Sequence, residues 1–209
     1  WRTVRHLSAA QMAHRVHLRA RRAIMARFPN AARRRAETRA SKLALPDISS
    51  PMLADIGDIV LAHQNSVHGE HLDGVAHGKF VLHNQSFDFG AIESIQWRGD
   101  FREGVNPLRR MTLAYMGYVP PLLARGRAED LAVVNRLLTS FEAGNQWHMP
   151  GVLGDSWHPY AASHRLINLL AGLALYGKAG SPRDDAVESR ILDHSRLCAA
   201  HISANLERD

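Results

Sequence analysis

Apolar residues recur every three to four positions over most of the chain, which predicts a mainly helical protein. In residues 127–143, for example, Leu131, Val134, Leu138 and Phe141 fall on one helical face. The same spacing predicts further helices at 8–27 (with Ser8 as N-cap), 108–124 (broken near Pro120–Pro121), 161–177 and 184–207. Because most of the connections are short, we expect neighbouring helices to be antiparallel.

The pattern changes between residues 58 and 97. Three short apolar stretches, "DIVLAHQ" (58–64), "GKFVLHNQSFDFG" (78–90) and "IESIQW" (92–97), are separated by glycines. Short apolar stretches between turn residues are typical of strands and hairpins. We therefore expect a small strand and loop element of two or three strands near residues 58–97.

Basic residues are concentrated at the N-terminus. Residues 1–42 contain 12 Lys and Arg but one acid, Glu37, whereas the rest of the chain is net acidic. This predicts a basic N-terminal helix or arm over residues 1–44, in which "ARRRAETRASK" (32–42) is a solvated connector, and a second unit over 45–209. An arm of this kind suits nucleic acid, anionic lipid or acidic polysaccharide. It lacks a DNA-reading motif and interleaved aromatics, so a solvated, partly packed helix is the simpler interpretation.

Several classes of site lack the residues that they need. The single cysteine, Cys198, cannot form an internal disulfide and is expected to be a core thiol. There is no phosphate-binding glycine loop and no nucleophile elbow. Five histidines fall between residues 63 and 83, but their spacing favours exposed loop histidines over a metal site. We expect no cofactor, and no apolar run has the roughly 20 residues of a membrane span.

The stretch "WHPYAASHRLINLL" (157–170) concentrates aromatic and hydrogen-bonding side chains at the start of a helix. At about 100° per residue, Tyr160, His164, Arg165 and Asn168 share one sector, opposite a leucine-rich core face. Aromatic rings, Arg and Asn suit the stacking faces, hydroxyls and carboxylates of sugars. The alternative is a buried polar network that ties this helix to its neighbours.

This stretch resembles the Trp-x-Pro-Tyr-x-x-Ser-x-Arg-x-x-Asn motif of the N-terminal toroid domain of heparinase II/III-type polysaccharide lyases, a group that includes related alginate lyases. Four weaker similarities occur in the same order along the chain. They are "WRTVRHLSAAQMAHRV", "GKFVLHNQSFDFGAIESIQW", "NPLRRMTLAYMGYVPPLL" and "ISANLERD". The family usually has Thr or a similar residue before the motif serine and a hydrophobic residue after it. Here these positions are Ala162 and His164, which is a mild departure.

The resemblance implies an incomplete (α/α) toroid whose parent cleaves uronate-containing polysaccharide by β-elimination. The family's catalytic Asn or His, Tyr and His lie downstream of Asp209, as does a C-terminal β-sandwich domain. We therefore assign no catalytic residue here and expect the fragment itself to be inactive. The resemblance implies one wall of the substrate cleft, formed by Trp157, His158, Tyr160, Ser163, Arg165 and Asn168, together with Gln96 and Trp97.

The expected partner is an acidic polysaccharide of the heparan sulfate, alginate or bacterial exopolysaccharide type, rather than nucleic acid. The family resemblance favours the periplasm over the cytoplasm of a bacterium. An alternative from another class is a non-catalytic module for acidic-glycan binding or exopolysaccharide assembly. A third is a nucleic-acid or membrane-surface binder that acts through residues 1–42.

Overall fold

A computed structural model describes residues 8–101 and 107–205. The fold is mainly helical with a two-stranded antiparallel sheet. The helices are α1 (Ala9–Arg27), α2 (Pro29–Ala40), α3 (Pro51–His68), α4 (Leu72–Val75), α5 (Leu108–Ala114), α6 (Val119–Ala124), α7 (Ala128–Gly144), α8 (Pro159–Lys178) and α9 (Asp185–Asn205). The strands are β1 (Lys79–Leu82) and β2 (Gln85–Asp88), and short 3₁₀ turns cover Gly69–His71, Ile92–Ser94 and Val152–Gly154.

The long helices predicted from apolar spacing are confirmed. Helices α1, α7, α8 and α9 lie within a few residues of the predicted bounds, although residues 206 and 207 fall outside the described part. Ser8 caps α1 as expected, because its side chain accepts a hydrogen bond from the Gln11 amide while the Gln11 side chain accepts one from the Ser8 amide. This reciprocal pair satisfies two amides that the first turn leaves without helical partners.

Two segments that we predicted as non-helical are helices. Residues 58–64, predicted as a strand, belong to α3, where Ser50 caps the start and Pro51 occupies the first turn. Residues 32–40 of the predicted connector belong to α2, whose Ala36 and Ala40 are buried. Ala36 and Ala40 of α2 and Gly57 of α3 are small residues that allow close packing on a neighbouring helix, which outweighs the local composition.

The predicted small strand element is confirmed as a two-stranded hairpin within residues 78–90, but "IESIQW" is not a strand. Phe80 pairs with Phe87 across the two strands, and the connecting His83 and Asn84 both have positive φ, as a two-residue hairpin turn requires. Residues 92–97 form a 3₁₀ turn followed by a loop. The predicted break near Pro120–Pro121 lies earlier, at residues 115–118, because the prolines occupy the first turn of α6, where no amide donor is needed.

Helix α8 is at the centre of the packing and contacts α3, α5, α6 and α9. It runs antiparallel to α3, since Gly57 lies against Leu175 whereas Gln64 contacts Asn168. Helix α2 packs on α9, and α1 joins α2 at Phe28. Among the described residues, no helix is long and apolar enough to cross a bilayer.

Two glycines of α8 provide a test of how closely α6 approaches it. A Cβ added at Gly172 would lie 2.9 Å from Val119 Cγ1, whereas one added at Gly177 would meet nothing within 4 Å. We expect Gly172→Ala to lower the free energy of unfolding by about 1–3 kcal/mol through overpacking. Gly177→Ala should raise it by about 0.5–1 kcal/mol, because alanine favours the helix. Urea denaturation followed by circular dichroism measures both, and equal effects would contradict the close approach of α6 at Gly172.

Candidate functional site

The Arg165 side chain lies in the interior and is 0% exposed. Its Nη1 donates hydrogen bonds to the carbonyls of Ala114 (2.9 Å) and Ser156 (3.0 Å), and its Nε donates to His194 Nε2 (3.1 Å). The Ala114 carbonyl belongs to the last turn of α5, where helical partners are lacking. Arg165 therefore joins α8 to the end of α5, to the loop before α8 and to α9.

The buried guanidinium charge is balanced through His194. Because Arg165 Nε–H donates to His194 Nε2, that nitrogen carries no proton, and Nδ1–H donates to Glu142 Oε1 at 2.9 Å. Burial raises the pKa of Glu142, but the hydrogen bonds from His194 and Arg190 and the charge of Arg190 outweigh it and lower the pKa to about 2. Glu142 is thus an anion at neutral pH, and the His194 ring lies between it and Arg165.

Cys198 adjoins this network as the core thiol that the sequence predicts. The side chain is fully buried beside Arg165 and His194. Burial raises the pKa of the thiol, whereas the charge of Arg165 and hydrogen bonds with Arg165 and His194 lower it to about 7. The thiol therefore belongs to the same buried network as Arg165 and His194.

Three more of the predicted site residues are buried and bonded to the chain itself. Asn168 Nδ2 donates to the Tyr115 carbonyl (2.8 Å), and Trp157 Nε1 donates to the Asn145 carbonyl (3.0 Å). Trp97 Nε1 donates to Ser140 Oγ (2.9 Å). For these three side chains and for Arg165, the structure has the buried polar network that was the alternative to an open sugar-binding face.

The remaining predicted residues lie at or near the surface. Tyr160 is 55% exposed, and His158 caps α8 by accepting a hydrogen bond from the Tyr160 amide. Ser163 Oγ donates to the Tyr160 carbonyl at 2.8 Å. Gln96 is exposed but lies on a different element, the loop after the Ile92–Ser94 turn. The structure thus brings His158, Tyr160 and Ser163 together at the start of α8.

A group of three rings, Tyr115, Tyr160 and His164, lies at this surface, and we call it the Tyr–His cluster. Tyr115 stacks on His164 with ring centroids 4.7 Å apart, and Tyr160 contacts both rings edge-on at 5.8 and 4.5 Å. Tyr160 and His164 are one helical turn apart, whereas Tyr115 comes from the 115–118 turn. The hydrogen bonds from Asn168 and Arg165 hold that turn against α8.

Two rings of the Tyr–His cluster, Tyr115 and His164, are uncharged at neutral pH. Burial, with a smaller contribution from His63, lowers the pKa of His164, so the imidazole is neutral. Burial and the neighbouring Tyr160 raise the pKa of Tyr115 to about 12, so its hydroxyl keeps its proton. The cluster can therefore stack on an apolar ring face and exchange hydrogen bonds with hydroxyls, a combination that suits a sugar.

Tyr115 was not among the residues predicted from the sequence. Its signal lies in "AYMGYV", where two tyrosines flank a glycine in the stretch "NPLRRMTLAYMGYVPPLL". Helical spacing could not find it, because Tyr115 lies where α5 ends rather than on a helical face.

The histidines between residues 63 and 83 do not form a common site. His63 and His68 lie on α3 rather than in a loop, and His83 lies in the hairpin turn. In residues 8–101 and 107–205, no group of three or more His, Cys, Asp or Glu is arranged to hold a metal ion. Comparison of the chain with protein-family models, with curated proteins and with solved structures gave no match.

Replacing Arg165 should be strongly destabilising. We expect Arg165→Met to lower the free energy of unfolding by about 3–5 kcal/mol, because the Ala114 and Ser156 carbonyls and His194 Nε2 lose their buried hydrogen-bond donor. Arg136→Met is the matched control, since Arg136 pairs with an exposed Glu93 and its loss should cost less than about 1 kcal/mol. Urea denaturation measures both, and similar losses would contradict a central role for Arg165.

The Glu142 carboxylate predicts a specific acid sensitivity. Its pKa is lower in the folded chain, about 2, than the ordinary 4.5, so its stabilising contribution is present above pH 4.5 and is lost as the pH falls towards 2. We expect this contribution to be about 1–3 kcal/mol, reduced because the side chain is 32% exposed.

Urea denaturation from about pH 5 down to the acid transition should therefore show a smaller change in stability for Glu142→Gln than for the wild-type chain. Glu129→Gln, at an exposed carboxylate in the first turn of α7, is the control. A Glu142→Gln profile that matches the wild-type profile would contradict the assignment.

Proposed function

We propose that this chain is the N-terminal part of a heparinase II/III-like polysaccharide lyase and contributes one wall of the glycan-binding cleft. The Tyr–His cluster is the observation that carries the proposal. It presents three adjacent rings at the surface, of which Tyr160 belongs to the motif that resembles this family. Stacking rings beside hydroxyl donors are the usual means of binding a sugar ring.

In this proposal the motif has two kinds of residue. Tyr160 contacts the glycan. Arg165 and Asn168 do not contact it but position Tyr115 through hydrogen bonds to the Ala114 and Tyr115 carbonyls. A fixed Tyr115 loses little conformational freedom when a sugar binds, which favours affinity. This division of roles explains why a sugar-binding motif would include fully buried Arg and Asn side chains.

The reaction expected of the parent is β-elimination. A base removes the C5 proton of a uronate, the bond from C4 to the glycosidic oxygen breaks, and the carboxylate charge must be neutralised as the proton leaves. We assign no catalytic role to Tyr115, because a hydroxyl with a pKa of about 12 is not a base at neutral pH. The catalytic groups would come from the family's downstream segment.

The toroid arrangement is part of the same proposal. Helices α3 and α8 are antiparallel neighbours, and α8 also packs on α6 and α9. Helix pairs of this kind are the repeating unit of an (α/α) toroid.

The alternative function, a non-catalytic module that binds acidic glycan, rests on the same Tyr–His cluster and differs in lacking any lyase activity.

Assay of a longer parent separates these two functions. Unsaturated uronate product, followed by absorbance with heparan sulfate, alginate and bacterial exopolysaccharide, is expected for a lyase. A parent that binds these polymers without forming product would instead be a binding module. Absence of both binding and product would contradict the two alternatives together.

Binding of uronate oligosaccharides to the 209-residue chain should depend on Tyr160. We expect Tyr160→Ala to weaken binding roughly tenfold through lost stacking. Phe28→Ala, at an aromatic side chain of similar exposure on the N-terminal helices, should leave binding unchanged. Calorimetry at a salt concentration that screens the basic helices isolates this effect. Equal losses in both variants would contradict binding at the cluster.

A further inference from the structure

The N-terminal helices enclose a cavity that the proposed function does not use. It has a volume of about 490 Å³ and lies between α1, α2 and α9. A second cavity of about 480 Å³ shares His17, Arg21, Arg39 and Ala204 with it, so the two form one continuous groove. The volume of the first cavity is in the range of small-molecule binding sites.

The charge along this groove has one sign. Arg21, Arg35 and Arg39 line the first cavity together with His17, and no acidic side chain of the described residues lines either cavity. Burial lowers the pKa of Arg21, and the charges of Arg39 and Arg35 lower it further. These guanidinium groups repel one another across the groove, so an anion bound between them would be favoured.

The cavity changes in character with distance from the junction of α1 and α2 at Phe28. Close to the junction its lining is apolar and includes Ile24 and Ala32, and Phe28 itself is 58% exposed. One to two turns further along each helix, the lining residues are Arg21 on α1 and Arg35 on α2. The cavity therefore has an apolar end and a cationic end.

Two residues that line the cavity opposite α1 and α2 have polar atoms without a hydrogen-bond partner. Trp147 Nε1 and His201 Nδ1 are buried without a hydrogen-bond partner among the described residues, and both side chains line the cavity. His201 Nε2 donates to the Trp157 carbonyl at 2.7 Å, and burial lowers the pKa of His201 to about 4, so Nδ1 is an acceptor at neutral pH. Buried polar atoms of this kind are uncommon, and here both belong to side chains that line the cavity.

We propose that this cavity binds a small amphipathic anion, with its acidic head group between Arg21 and Arg39 and its apolar part directed towards Phe28. The head group is a phosphate, sulfate or carboxylate, each of which accepts hydrogen bonds from guanidinium groups. The apolar part covers Ile24 and Phe28, which are otherwise exposed. The ligand is a single free molecule, since the cavity has the size of a small-molecule site rather than of a membrane-binding face.

Octyl phosphate tests this proposal with the complete 209-residue chain. Binding is measured by calorimetry and by tryptophan fluorescence, below the concentration at which the probe forms micelles. We expect octanol and inorganic phosphate to bind at least about tenfold more weakly, because each lacks one half of the ligand. Equal binding of either compound would overturn the proposal.

Arginine variants locate the head group. Arg21→Met and Arg39→Met keep the aliphatic stem and should each weaken octyl phosphate binding by about tenfold. Arg19→Met is the matched control, since Arg19 is an exposed arginine of α1 that does not line either cavity, and binding should change less than about twofold. Circular dichroism establishes that each variant is folded. An equal loss in Arg19→Met would mean non-specific attraction and would overturn the proposal.

Two further measurements distinguish this cavity from a membrane-binding face and from the Tyr–His cluster. Binding to vesicles that contain phosphatidic acid, without binding of free octyl phosphate, would assign the groove to a membrane surface and overturn the proposal. Tyr160→Ala should leave octyl phosphate binding unchanged, whereas Phe28→Ala should weaken it. The cavity proposal and the glycan proposal can therefore fail independently.

Discussion

The fold depends on one buried positive charge. Arg165 lies between the rings of Phe141 and Trp157, with its guanidinium carbon 4.3 and 4.8 Å from the two ring centroids. An isolated charge in such surroundings would be very unfavourable, so each of its partners is needed. Those partners belong to α5, to the loop before α8 and to α9, and the charge thereby fixes how these elements meet.

The surface that we assign to glycan binding follows from this constraint. The turn after α5 has a strained residue, Met116, with a φ of 55°, and such a conformation persists when the surrounding structure holds it. Arg165 and Asn168 bond the two carbonyls that precede Met116. Tyr115 is therefore held beside Tyr160 and His164 by groups that do not reach the surface themselves.

Local pattern was sufficient to predict α1, α7, α8 and α9, which have a regular apolar period, and the strands within residues 78–90, which are short apolar stretches between turn residues. It failed at α3, where "DIVLA" has the β-branched residues of a strand and the decisive contact, Gly57 against α8, is distant in sequence. For the site, the helical sector grouped four polar residues of α8. It could not show which are buried, since Arg165 is buried by the Ala114 carbonyl, 51 positions away.

The buried aromatic residues connect the two proposed binding surfaces, so the choice of substitution decides whether a loss of binding can be assigned to one of them. Trp157 contacts Trp147 and His201, two residues of the cavity wall, and its ring also covers Arg165. Replacing Trp157 would therefore disturb the cavity, the Arg165 network and, through the hydrogen bond of Arg165 to Ala114, the Tyr–His cluster together. A loss of binding in that variant could not be assigned to either surface. Tyr160 and Arg21 each belong to one surface and lie outside this buried group, so their replacement separates the two proposed binding activities.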